Sequence, residues 1–200
     1  MPSTPATTSP TPDLVSLAER LAAKLVERNE TLAVAEGATG GLLSHALTQI
    51  PGSSAWFRAG IVAYTDYPKQ LLLRVSTETL EEFGSISIQA TVQMARLVRR
   101  IFGTHWGLAV TGYADERAAA VQRPTAGVPL RDPAGTPRIA GEPSPRQPGQ
   151  TFLAISGPAA TLQGEGQLWE ERLLPAPDRA TYKAEAAAAA LELLLATIEG

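Results

Sequence analysis

One seven-residue stretch constrains the architecture more than any other part of the chain. The apolar run Leu32-Ala33-Val34 leads into Ala35-Glu36-Gly37-Ala38-Thr39-Gly40-Gly41. A helix-like stretch, Leu42-Leu43-Ser44-His45-Ala46-Leu47, follows directly. A strand that breaks through glycine and threonine into a helix is the unit from which α/β layers are built. It also aims backbone N–H groups at a helix N-terminus, where phosphate or a developing oxyanion can be held. The same small residues also suit a helix that must pack tightly on a sheet, and spacing alone does not separate the two readings.

The rest of the chain repeats the alternation. Thr11-Pro12 offers a cap and a first-turn proline for a helix reaching about Arg28, with Leu14, Leu17, Leu21 and Leu25 on one face. A buried strand is expected over Leu32–Ala35, a helix over Thr39–Gln49 stopped by Pro51, and a second strand over Gly60–Thr65. A short helix over Tyr67–Leu73 comes next. Ser76 caps another that closes at Gly84, and Ser87 caps a longer one with Val92, Ala95, Leu97, Val98 and Ile101 mostly inward. A third strand over Gly107–Thr111, a strand pair at Phe152–Ser156 and Gln167–Leu174, and an Ala/Leu-rich helix over Ala180–Ile198 complete the order. The expected fold is a three-layer α/β/α domain around a central mixed sheet.

Composition narrows the classes of function. Two hundred residues, 44% of them hydrophobic, suit a single domain with a substantial core over residues 13–200. The Pro/Thr/Ser-rich residues 1–12 read as a disordered tail, not a signal peptide. A net charge of −3 and a pI near 5.5 argue against bulk binding to nucleic acid. No apolar run has transmembrane length, so a cytoplasmic location is expected. With no cysteine there is no thiolate chemistry, and His45 and His105 lack companions at metal-ligand spacing, so no metal site is expected. Residues 113–149 break the alternation with seven prolines and five arginines. They read as a long surface loop or insertion without helical or strand period, with a lid or partner-binding segment as the sharper alternative.

Three further motifs carry a resemblance. Pro51-Gly52-Ser53-Ser54-Ala55-Trp56-Phe57-Arg58-Ala59-Gly60-Ile61-Val62-Ala63-Tyr64 follows the glycine-rich turn, Lys69 comes shortly after, and Ala109-Val110-Thr111-Gly112 ends the third strand. Together with the first motif, this series resembles the C-terminal domain of the CinA (competence/damage-inducible) family, the nicotinamide mononucleotide deamidases. It is specific from about Leu32 to Gly112 and resumes near Phe152. The first motif of that family usually reads A-E-S-C-T-G-G. Here Gly37 stands at the serine position and Ala38 at the cysteine position. That serine is the nucleophile the resemblance implies, so this chain looks like a member that has lost it.

The resemblance implies amide hydrolysis with a serine, a nearby lysine base and backbone oxyanion donors. Tyr64 and Lys69 match its tyrosine and lysine. Glu36, Thr39, Gly40, Gly41, Thr111, Gly112 and Arg179 fall at positions expected to bind substrate, and Lys183 replaces a second arginine. No cofactor is implied. Glycine has no side chain to attack a carbonyl, so a substitute would have to come from Thr39, Ser44, Ser53, Ser54 or a water held by Lys69 and Tyr64. Two expectations follow from different classes. One is an amidohydrolase acting on nicotinamide mononucleotide, impaired at Gly37. The other is a non-catalytic nucleotide-binding or interaction protein on the same fold. A nucleic-acid module finds no basic patch. Longer members carry an extra N-terminal domain, so the chain reads as a stand-alone version. The resemblance implies a homo-oligomer, a dimer in the simplest form, with Ala55-Trp56-Phe57 as candidate interface.

Overall fold

The structure is a computed structural model and describes residues 13–120, 146–162 and 166–200. In chain order the elements are α1 (Leu14–Glu27), β1 (Leu32–Glu36), α2 (Leu42–Thr48), a 3-10 turn (Ser53–Ala55) and β2 (Phe57–Val62). Then come α3 (Asp66–Leu71), α4 (Thr77–Phe83), α5 (Ile88–Phe102), β3 (Trp106–Gly112), α6 (Glu116–Ala120), β4 (Gln150–Ser156), β5 (Gln167–Leu173) and α7 (Arg179–Glu199). The five strands form one sheet in the order β2-β1-β3-β4-β5. β1 pairs parallel with β2 and β3, while β3–β4 and β4–β5 are antiparallel. The mixed three-layer sheet expected from the sequence is the one observed.

Side chains alternate across a strand, and here the two faces differ in size. Leu32, Val34, Trp106, Leu108, Val110, Leu153 and Ile155 point to a core shared with α1, α2 and α7. The intervening Ala33, Ala35, Ala109 and Ala154 point to the core under α4 and α5. Small side chains on that face let α5 come close. At Gly107 the approach is extreme, since a Cβ there would lie 2.1 Å from the carbonyl oxygen of Ala95 in α5. The alanines of α7 do the same on the opposite face, where Ala186, Ala187, Ala189 and Ala190 are buried.

Several boundaries differ from the sequence expectation. Asp13, not Thr11, caps α1, because its carboxylate accepts from the Ser16 N–H at 3.1 Å; Thr11 and Pro12 lie outside the described residues. The helix expected from Thr39 begins only at Leu42. Gly40 and Gly41 hold φ of 63° and 100°, which no helical residue adopts. The second strand starts at Phe57 and ends at Val62, three residues earlier than expected, because Leu32 pairs with Phe57 at the start of the β1–β2 ladder. Ile101 is 45% exposed, although Leu97 and Val98, a turn earlier on α5, are buried. Within the proline-rich segment a short helix, α6, does form; Asp115 caps it by accepting from the Ala118 N–H at 2.7 Å. The expected tail (residues 1–12) and most of the expected long loop (121–145) lie outside the described residues. The capping serines behave as expected, Ser76 accepting from Thr79 N–H and Ser87 from Ala90 N–H, each at 3.2 Å.

Candidate functional site

The C-terminal ends of β1, β2 and β3 meet at one edge of the sheet, where open α/β folds place their ligands. A cleft lies there, enclosing about 340 Å³ of empty space with the open solvent at its mouth included. Gly37 from the end of β1, Tyr64 and Lys69 from the β2–α3 region, Thr111 and Gly112 from β3, and Arg179 from α7 all line it. The structure therefore gathers six of the residues that the sequence singled out into one place.

Glu36, Thr39, Gly40 and Gly41 form the turn behind this cleft, and their roles differ. The Glu36 side chain is fully buried and follows Leu32 and Val34 on the α2 face of β1. Its Oε2 accepts from the Thr39 hydroxyl at 2.7 Å, the Gly41 N–H at 2.9 Å and the Leu43 N–H at 3.1 Å. Its Oε1 accepts from the Ser44 N–H at 2.8 Å and the Ser44 hydroxyl at 2.5 Å. A single carboxylate thus closes the N-terminus of α2, satisfying both the orphan amides and the positive end of the helix dipole. The Gly37 N–H is also engaged, donating to the Val110 carbonyl at 2.8 Å. The turn is anchored from within, and these amides point to protein acceptors.

Gly37 is free of backbone constraint. No left-handed φ is found there, and a Cβ would stand 3.3 Å from the Val110 carbonyl oxygen and 3.4 Å from the Thr111 Cγ2. Gly112 is the opposite case. A Cβ there would meet the Tyr182 hydroxyl at 2.1 Å and the Gln150 carbonyl oxygen at 2.6 Å.

Lys69 is 1% exposed, in the last turn of α3. Its ammonium donates to the Ser85 carbonyl oxygen, which meets the requirement that a buried cation be hydrogen-bonded. Thr111 is fully buried beneath Gly37. Thr91 uses its one hydroxyl proton on the Ser87 carbonyl at 2.7 Å, so Thr111, 2.7 Å from the Thr91 oxygen, must be the donor of that pair. The Thr111 proton is directed into α5, away from the cleft.

Arg179 stands at the mouth. Its Nη2 donates to the Tyr64 hydroxyl oxygen at 2.8 Å and its Nη1 to Asp115 Oδ2 at 2.5 Å. Its sequence neighbour Asp178 caps α7 by accepting from Ala180 and Thr181 N–H. The bond to Tyr64, and then the Asp115 carboxylate, raise the Arg179 pKa above its ordinary value. The Ala118 N–H, followed by Arg179, holds the Asp115 carboxyl below the usual carboxylate range. One turn along α7, the Lys183 ammonium lies over the turn, 3.0 Å from where a Gly40 Cβ would be.

The hydroxyls weighed as substitutes for the absent serine fall elsewhere. Thr39 and Ser44 both donate to Glu36. Ser44 packs against β2, where a Gly60 Cβ would strike its oxygen. Ser53 and Ser54 precede β2 and therefore sit at the opposite end of the parallel strands, roughly 15 Å away for a strand of this length. Asp115, Tyr182, Thr91 and Ser85 were not singled out from the sequence. Asp115 had a readable signal, an acidic cap three residues ahead of Ala118. The others acquire their roles only through long-range contacts.

The comparisons with known proteins agree with this fold. The family model of the CinA C-terminal domain matches residues 14–128. A CinA-like protein of Synechococcus is 50% identical over 99 residues, covering 50% of this chain and 24% of that protein. A putative competence-damage inducible protein of Acetivibrio thermocellus is 45% identical over 107 residues, 53% of this chain and 26% of that one. The matched stretch thus spans about a quarter of the length of these relatives. Among solved structures, competence/damage inducible protein CihA from Agrobacterium tumefaciens superposes with a TM-score of 0.73 at 28% identity, covering 98% of this chain and 99% of that one. A competence or damage-inducible protein from Enterobacter asburiae gives 0.71 at 25% identity, with 92% and 98% covered. The family model covers more than half of the chain and the fold is shared over nearly all of it, and the chain belongs to the CinA C-terminal domain family.

Proposed function

We propose that this protein binds a nicotinamide mononucleotide-like ligand in the cleft between Gly37, Lys69 and Arg179, and that it does not turn the ligand over by the serine route of an amidohydrolase. The observation that carries this reading is the hydroxyl inventory around Gly37. Thr39 and Ser44 donate to Glu36, Thr111 donates to Thr91, and Ser53 and Ser54 lie at the far end of the sheet. A carbonyl held beside Lys69 would face a glycine where covalent catalysis needs a nucleophile. Loss of a nucleophile commonly forfeits most of the rate while leaving binding largely in place.

The cations support the binding half. Lys69 at the floor and Arg179 at the mouth line the cleft, and Lys183 follows Arg179 on α7. An anionic mononucleotide matches that charge. On this reading the protein acts in the cytoplasm, without metal or cofactor, as a homodimer that senses or sequesters a pyridine nucleotide. Titration calorimetry with nicotinamide mononucleotide should give saturable binding, with no ammonia released at saturation. Failure to bind the mononucleotide at millimolar concentration would refute the reading.

A further inference from the structure

Arg179 lines the cleft, and it already holds an anion. Its guanidinium reaches across the mouth, one nitrogen on Tyr64 from the β2 side and the other on Asp115 from the β3 side. A planar fork of this kind pairs equally with a carboxylate or a phosphate. Asp115 lies between Ala114 and Ala118, which both line the cleft. The side chains of Arg179 and Asp115 are 45% and 38% exposed, so a solute anion can reach the pair from solvent.

We propose that Asp115 is a built-in competitor for the phosphate of an incoming ligand: its carboxylate occupies the anion-binding face of Arg179, and a phosphomonoester binds by displacing it. The inference rests on the reading of the cleft as a mononucleotide site. A doubly charged phosphate outcompetes a single carboxylate, whereas a nucleoside without phosphate has no anion to offer Arg179. Asp115 thereby selects for the phosphorylated ligand and keeps Arg179 neutralised while the site is empty. When displaced, Asp115 retains its second bond through Oδ1 to the Ala118 N–H, so α6 keeps its cap.

Asp115→Asn tests this cleanly, because asparagine preserves the cap and removes the charge. Affinity for inorganic phosphate and for nicotinamide mononucleotide would be measured in the wild type, Asp115→Asn, Arg179→Gln and the double variant. The expected result is about fivefold tighter phosphate binding by Asp115→Asn, the scale an exposed ion pair sets. That gain should vanish in the double variant. Equal or weaker phosphate binding by Asp115→Asn, including no binding at all, would overturn the inference. Mononucleotide binding that ignores both substitutions would overturn it as well, while leaving the proposed function standing. Tighter phosphate binding with no affinity for the mononucleotide would support the competitor and sink the proposed function.

Discussion

Gly37 and Gly112 line the same cleft, and what a single methyl group would touch separates their meanings. At Gly112 a Cβ collides with a backbone carbonyl at 2.6 Å and with the buried Tyr182 hydroxyl at 2.1 Å. Neither obstacle is a mobile side-chain end, so the close approach of β3, β4 and α7 requires glycine. Gly112→Ala should lower the stability by about 2 kcal/mol or more, read as an earlier urea midpoint; an unchanged midpoint would contradict this packing. At Gly37 the backbone is ordinary and the nearest contacts, at 3.3 and 3.4 Å, need only a few tenths of an ångström of adjustment. Glycine here is not imposed by a left-handed backbone. The sequence alone could say that the resemblance expects a serine at this position. It could not say what a side chain there would meet.

Among elements, the junction of β1 with α2 depends on one carboxylate. Five donors from residues 39–44 converge on Glu36, and three of them are amides of the α2 N-terminus. Glu36→Gln would turn an amide donor toward those donors. The expected loss is about 2–4 kcal/mol, or a melting temperature lower by roughly 5–10 °C. A melting curve matching the wild type would show that the carboxylate is dispensable. The second element junction titrates. Tyr182 of α7 is fully buried, with its hydroxyl 2.9 Å from that of Thr151 in β4 and within reach of the Gln150 carbonyl. Burial pushes its pKa up to about 12. The folded state therefore favours the protonated phenol. Its contribution is complete below the unfolded value near 10 and is lost as pH rises through about 12. Stability should fall by about 3 kcal/mol over that window in the wild type. Tyr182→Phe should flatten this limb; equal steepness in both proteins would contradict the assignment.

Elements with strong local signals were legible. The serine caps at Ser76 and Ser87, the strand pair β4–β5 and the long α7 helix follow from capping chemistry, alternation and helix propensity. Boundaries set by long-range pairing were not. β2 begins where Leu32 finds Phe57, a partner no local pattern names. The start of α2 lies in between. Gly40 and Gly41 were seen as part of the motif, but only their left-handed φ values show that they precede the helix. The same division holds at the site. The sequence pointed to Gly37, Tyr64, Lys69, Thr111, Gly112 and Arg179, and the fold assembles them. The proton bookkeeping of Thr91 with Thr111, and the Asp115 partner of Arg179, depend on contacts across 20 and 64 residues.

For the whole molecule, the sheet brings cations from separate segments to one edge while helices on both faces bury the rest. Among the described residues no helix is long and apolar enough to cross a membrane, and no group of three metal-ligating side chains occurs. What chemistry the edge supports turns first on Gly37. The most direct test is ammonia release from nicotinamide mononucleotide by the wild type and Gly37→Ser, measured side by side under saturating ligand. The account predicts a silent wild type and measurable release by Gly37→Ser, because the cleft, Lys69 and Tyr64 stand ready for a hydroxyl that position 37 lacks. Sustained turnover by the wild type, or silence from Gly37→Ser while it binds the ligand, would contradict it.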